Sequence, residues 1–396
     1  MAANPPPVAP PAEEAVRGAL RGVIDPELGS DVVDLGMIRA VAVAEDGAVV
    51  VTVALTTSGC PLRAQLQGDV KTRVSSLPGV TSVRITWAEM DDAERQRAME
   101  KARFNVAQRE EDTAIGPTTR VIAVASGKGG VGKSSVTVNL ATALALRGLK
   151  VGVLDADIWG FSVPRMLGVE GPLAARKVGE RNVMIPIERP IGERGGLLRI
   201  VSMGFLSGEQ DALMWRGLIL NRAVQHFLQD VQWGDDLDYM LIDMPPGTGD
   251  VQMGVAKLLP RTEVLVVTTP ALAAQKVASR AVSMARKNYL RVAGVVENMS
   301  AFVCDHGTSY PLFGVGGGGA LAAEAGIDLL GSVPLEPGVA VGADTGTPAA
   351  LGEGPAADAF RALAERIVAD AVPPVAMAGC SARMLDAAEA LLGPKA

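Results

Sequence analysis

The 396 residues are 48% hydrophobic and 4% aromatic, with a formal net charge of −7. A chain of this length buries two or three separate cores, while the acidic balance argues against a broad nucleic-acid footprint, which needs clustered Lys and Arg. There is no uncharged apolar run of about 18 residues that would cross a membrane, and the widely spaced Cys60, Cys304 and Cys380 cannot form a disulfide framework, so free thiols and a cytoplasmic location are expected.

Taken in order, residues 1–11 (MAANPPPVAPP) predict an extended, disordered tail without a signal core. Residues 12–90 predict a small α+β domain: a helix, a turn at DPELGSDVVDLG, two strands turning at Asp46-Gly47, a helix after SGCP, and a last strand VTSVRITW. Residues 91–118 are polar, charged and rich in helix formers, which predicts a linker of helix plus coil. From 119 to 371 the pattern changes to uniformly apolar strands (VIAVAS, KVGVLDAD, LLRIVSMG, YMLIDMP, EVLVVTTP, RVAGVVEN, DLLGSVPL) alternating with helical stretches. Such runs suit strands covered on both faces, so the expected fold is α/β, a doubly wound, mainly parallel sheet preceded by the small domain. In residues 372–396, SARMLDAAEALLGPKA predicts a short amphipathic helix with too little basic charge for a membrane anchor.

Ligands of such sheets bind beyond the carboxyl ends of the strands. There, after VIAVAS, Gly127, Lys128, Gly129, Gly130, Val131, Gly132, Lys133, Ser134 and Ser135 run GKGGVGKSS into a helix, and Gly127 to Ser134 match G-x-x-x-x-G-K-[ST]. The glycines let backbone N–H groups turn around phosphate oxygens, Lys133 reaches the β and γ phosphates, and the Ser134 hydroxyl can hold Mg²⁺. Two strands end in carboxylates, as a Mg²⁺-bound nucleotide requires: Asp155 and Asp157 in VGVLDADIWG, and Asp243 in YMLIDMPPGTGD. Asp243 fits the metal-coordinating position, Asp155 a second one, and Asp157 the orienter of the attacking water.

Lys128, directly after the first glycine of GKGGVGKSS, resembles the deviant Walker A lysine of MinD/ParA-type ATPases. That resemblance implies an ATP-sandwich homodimer in which Lys128 acts on the partner's nucleotide, stabilising charge as an arginine finger would. DADIWGFSVPRMLG, WRGLILNRAVQHFLQDVQWGDDLDYMLIDMPPGTGD, VVENMS and GSVPLEP are similar, in order and spacing, to the Mrp/ApbC family of iron-sulfur cluster carriers. The resemblance spans nearly all of 13–370 and implies an ATP-binding, slowly hydrolysing carrier that hands [4Fe-4S] clusters to apoprotein clients, with Asn298 facing the adenine beside Pro334. The alternatives are a ParA/MinD-like spatial organiser and an adaptor ATPase that has lost the cluster.

Members of that family carry C-x-x-C after the NMS segment, and two subunits share a cluster. In NMSAFVCDHGTSYPLFG, Cys304 holds the first position and Gly307 the second. Three readings are open: a cluster held by Cys304 with help from His306 or Cys60, a transient cluster, or none. Cys60, before Pro61 at a predicted helix entry, would gain thiolate character from the helix end.

Overall fold

The computed structural model describes residues 9–25, 28–55, 63–108, 113–157, 160–178, 181–206, 217–247, 249–304, 306 and 308–375. Cys60, Gly307, Cys380 and the expected C-terminal helix fall outside them. The chain forms two compact units that part between Glu111 and Asp112.

In the first unit, Ile38–Val43 pairs antiparallel with Ala48–Leu55, which pairs parallel with Ser82–Glu89. Alternation in AVVVTVAL puts Val49, Val51 and Val53 inside, as expected of a strand with one face on a core. Helix Glu13–Leu20 adds Val16 and Leu20, and helix Arg63–Ser75 adds Leu66, Val70 and Val74. Within the segment expected to be a linker of helix plus coil, Asp92–Gln108 is the helix, and its Ala98 and Ala102 enter this same core. Its start is fixed by a reciprocal cap, Glu94 N–H donating to Asp91 Oδ1 at 2.7 Å and Asp91 N–H to Glu94 Oε2 at 2.9 Å.

The second unit is built on a sheet that has nine strands among the described residues: β1 (Arg120–Ser126), β2 (Lys150–Asp155), β3 (Ile187–Ile191), β4 (Gly196–Ser202), β5 (Tyr239–Asp243), β6 (Glu263–Thr268), β7 (Arg291–Val303), β8 (Ser309–Tyr310) and β9 (Leu329–Leu335). The order is β3-β4-β2-β5-β1-β6-β7-β8, with β9 also on β7. From β4 to β7, and between β7 and β9, neighbours are parallel. Strands β1, β2, β5 and β6 are buried along nearly their whole length, which explains their unbroken apolar sequences. Helix Lys133–Leu146 is buried from Val136 through Ala145, and it packs with Phe360 and Leu363 of helix Pro355–Arg366 in one core. The opposite face is filled by Phe227, Leu228, Trp233 and Met240.

Two features of the sheet depart from the sequence expectation. The edge strand β3 folds back antiparallel on β4 through a turn with Gly192 and Gly195 at positive φ. Strand β7 does not stop at Asn298 but runs to Val303, because β8 returns antiparallel onto it, Phe302 opposite Tyr310 and Val303 opposite Ser309. At its far end the unit extends past 371, with Tyr239 donating to Val372 O at 2.6 Å and Arg120 Nε to Pro373 O at 2.7 Å.

Candidate functional site

The carboxyl ends of β1, β2 and β5 converge. Strand β1 delivers the glycine loop, and Gly127 is required by packing: a Cβ there would collide with the Val277 backbone. Gly130 (φ 79°) and Gly132 (φ 77°) occupy the left-handed region, where side chains are disfavoured. Gly132 is the N-cap of helix Lys133–Leu146 and makes no side-chain cap, so the first amides of that helix face outward, an arrangement suited to anions. Lys128, Gly129 and Gly130 are exposed, Gly127, Ser134 and Ser135 half-buried, and Val131 and Lys133 buried.

Lys133 Nζ donates to Asp243 Oδ1 at 2.7 Å and lies 3.8 Å from Asp157 Oδ2. Ser134 Oγ donates to Asp243 Oδ2 at 2.6 Å. Thr137, one helical turn beyond Lys133, reaches Asp243 Oδ1 at 2.9 Å and Lys133 O at 3.0 Å. Asp243 is fully buried among these donors. Thr137 was not singled out from the sequence, although its i,i+4 spacing from Lys133 puts both on one helix face.

Asp155 is equally buried, but its contacts run into the fold. Its Oδ2 accepts from Ser202 Oγ at 3.0 Å and from the amides of Ser162 and Val163 at 3.3 Å, and its Oδ1 accepts from Asp157 N at 3.2 Å. Burial, and then the Asp243 charge, push its carboxyl up to about 7 against the pull of Lys133. Asp155 therefore fastens both ends of the loop that begins at Asp157. Ser202 stands opposite Asp155 in the β4/β2 register, a pairing no local sequence signal reveals.

Asn298 is buried just past the last β7 residue paired with β6, and its Nδ2 donates to Val131 O in the glycine loop at 3.0 Å. Val333 of β9 lies opposite it, with Pro334 next in the chain. Six residues beyond the glycine-loop contact, Cys304 is half-buried at the root of the β7/β8 hairpin, its N–H donating to Thr308 O at 3.0 Å. The His306 amide, then the Thr308 amide and hydroxyl, hydrogen-bond the sulfur and hold the thiol below its usual range. His306 itself is exposed. Among the described residues no three His, Cys, Asp or Glu side chains form a metal-holding group. Val303, Tyr310, Leu312, Phe313 and Val315 are exposed around this hairpin.

Glycine loop, helix N-terminus, buried lysine and strand-end carboxylate, set on a parallel sheet, define a P-loop NTPase. The family model described as NUBPL iron-transfer P-loop NTPase matches residues 117–368, and the model described as iron-sulfur cluster assembly protein matches 13–87. The chain belongs to the NUBPL iron-transfer P-loop NTPase family. It is 43% identical over 344 residues to the iron-sulfur cluster carrier protein of Mycobacterium tuberculosis, covering 85% of this chain and 87% of that one. To the protein of the same description from Deinococcus radiodurans it is 43% identical over 357 residues, covering 89% and 94%. A solved nucleotide-binding protein from Archaeoglobus fulgidus, in complex with ADP, is 34% identical, with a TM-score of 0.52, covering 65% of this chain and 96% of that one. No helix among the described residues is long and apolar enough to cross a membrane.

Proposed function

We propose that this protein is an ATP-binding, slowly hydrolysing homodimer that carries iron-sulfur clusters and passes them to apoproteins. The observation that carries the reading is the placement of Cys304, a thiol held toward thiolate by backbone amides, directly after the strand whose Asn298 touches the glycine loop. Soft iron requires thiolate donors, and the curated relatives are described as iron-sulfur cluster carriers.

In this reading Lys133 neutralises the β and γ phosphates, and the amides at the start of its helix bind their oxygens. Ser134 Oγ and Asp243, already side by side, form a hard-oxygen donor pair that would hold Mg²⁺, which supplies charge neutralisation at the phosphates. Asp155 supports that pair from behind by fixing the loop, since its oxygens are committed to Ser202 and three amides. Asp157, at the mouth of that loop, orients the attacking water, and the exposed Lys128 reaches the partner subunit's nucleotide. Asn298 and Pro334 border the base.

One thiolate per subunit offers a bridging cluster two sulfurs; His306 from each side would bring the donors to four, and Cys60 is a further candidate thiol. The cluster is cargo, and a partial ligand set favours release to a client over permanent retention. The glycine at position 307 also supports a second reading, an adaptor ATPase without a cluster.

Anaerobic reconstitution with iron and sulfide, with absorbance and iron counting on wild type, Cys304→Ala, His306→Ala and Cys60→Ala, separates these readings. The carrier reading expects a chromophore that Cys304→Ala abolishes. A colourless wild type selects the adaptor, and loss confined to Cys60→Ala moves the cluster to the first unit.

A further inference from the structure

Strand β7 passes the glycine loop and reaches Cys304 within a few residues, and its regularity breaks between the two. At the loop end the fit is tight: a Cβ on Gly132 would collide with Asn298 Nδ2 and come within 3.4 Å of Met299 Cε. Asn298 and Met299 therefore lie directly against the loop that would close on phosphates.

The next step along the strand is strained. Met299 has φ 56°, in the left-handed region that costs an L-residue about tenfold or more in population. Only Tyr289 shares a positive φ among the described non-glycine residues. The pairing of β7 with β9 shifts register between Asn298 and Phe302, and Ser300 Oγ donates to Val333 O at 3.2 Å across the break. Beyond it Phe302 pairs with Leu335 and with Tyr310, whose ring stacks on it at 6.3 Å between centroids. Cys304 follows directly, tied to Thr308. A strained residue persists where its surroundings over-determine it, and such residues cluster at switch regions. Here one side of the surroundings is the phosphate loop and the other is the thiol hairpin.

We infer that Met299 is a positioning residue that couples the conformation of the glycine loop to the setting of the Cys304 hairpin. A phosphate drawn into the loop shifts the Val131 carbonyl that Asn298 holds. The Met299 backbone has a second, unstrained basin available, and moving between the two re-aims the strand that ends at Cys304. The Ser300 tether to Val333 makes β9 the fixed point of that movement. This inference rests on the reading of the loop as a nucleotide site and of Cys304 as the cargo thiol.

The test uses the full chain, reduced and free of iron, and follows alkylation of Cys304 by N-ethylmaleimide in peptide mass spectra, with Cys60 and Cys380 as internal references. Binding of fluorescent ADP is measured separately on each variant. In wild type, saturating ADP changes the Cys304 rate by about fivefold or more, the lower end of ordinary site-to-site coupling. Met299→Gly, which accepts either backbone basin, binds ADP within about twofold of wild type yet loses most of that response. Met299→Leu, which keeps the Cβ and the strain, retains it. Ser300→Ala weakens the response at least about twofold through loss of the β9 tether, and serves if Met299→Gly folds poorly. Bound ADP with no change at Cys304 overturns the coupling while leaving the nucleotide site standing; absence of ADP binding overturns the reading beneath it. A full response in Met299→Gly, as shielding by dimer formation alone would give, removes Met299 from the path.

Discussion

Three donors converge on the buried Asp243 carboxylate: Lys133, Ser134 and Thr137 all reach it. Thr137 is the most deeply buried of the three, so on the proposed reading its hydroxyl would hold the carboxylate at the angle from which Asp243 faces a metal. Thr137→Val keeps the shape and removes that bond. It is expected to destabilise the fold by about 1–2 kcal/mol, read by urea unfolding, and to weaken Mg²⁺-dependent nucleotide binding more than Mg²⁺-free binding in parallel titrations. Equal weakening in both would mean Thr137 serves packing alone.

Asp155 predicts a pH effect. Its folded pKa, about 7, lies above the ordinary 3.8, so between those values the folded chain holds a proton that the unfolded chain has released. Its contribution to stability is complete below about 4 and is lost as pH rises through 7. Asp155→Asn cannot titrate and keeps an acceptor for the loop amides. The variant's stability relative to wild type should therefore climb between pH 4.5 and 7.5 in nucleotide-free protein, by up to a few kcal/mol. A constant difference across that range would show Asp155 ionised throughout.

At the scale of elements, the glycine loop and the helix behind it form one unit with β7. Gly132→Ala puts a Cβ at φ 77° and against the Asn298 amide, so it meets both backbone strain and collision. The expected result is a loss of at least about 1–2 kcal/mol in stability together with loss of nucleotide binding, whereas Gly129→Ala, with open space around it and no positive φ recorded, is tolerated. Thermal unfolding and nucleotide titration on the two variants decide it.

The same elements show what the sequence made legible. The phosphate loop, the buried strands β1, β2, β5 and β6 and the carboxylates at their ends follow from local pattern, because burial on both faces writes itself into consecutive residues. Pairings across the sheet do not. Ser202 on Asp155, the return of β8 that prolongs β7, and the docking of helix Asp92–Gln108 by Ala98 and Ala102 depend on register and on sparse contacts. A charge-rich helix whose Ala98 and Ala102 are buried looks like a linker until its partner surface is known. Asn298 was legible only as a position in a motif, and its bond to Val131 O emerges from the folded loop.

At the scale of the molecule, the buried Lys133 and the exposed Lys128 are separated by four residues yet face different surroundings. Lys133 is committed to carboxylates of its own chain, while Lys128 contributes its backbone carbonyl to Ser126 Oγ and presents its side chain outward. Apolar side chains around the Cys304 hairpin, Leu312 and Val315 among them, are exposed as well, and an exposed cluster of this kind fits a protein contact. If Lys128 works across a dimer, each subunit needs its own Lys133 and its partner's Lys128. Lys133→Ala alone should then bind no ATP, and Lys128→Ala alone should bind ATP but not hydrolyse it. Mixed in equal amounts, half of the dimers carry one of each variant, and one of the two sites in each such dimer has both lysines. Hydrolysis should return to about a quarter of wild type, measured as phosphate release after the subunits have exchanged. No recovery on mixing, with exchange verified, would place Lys128 in the service of its own subunit's nucleotide.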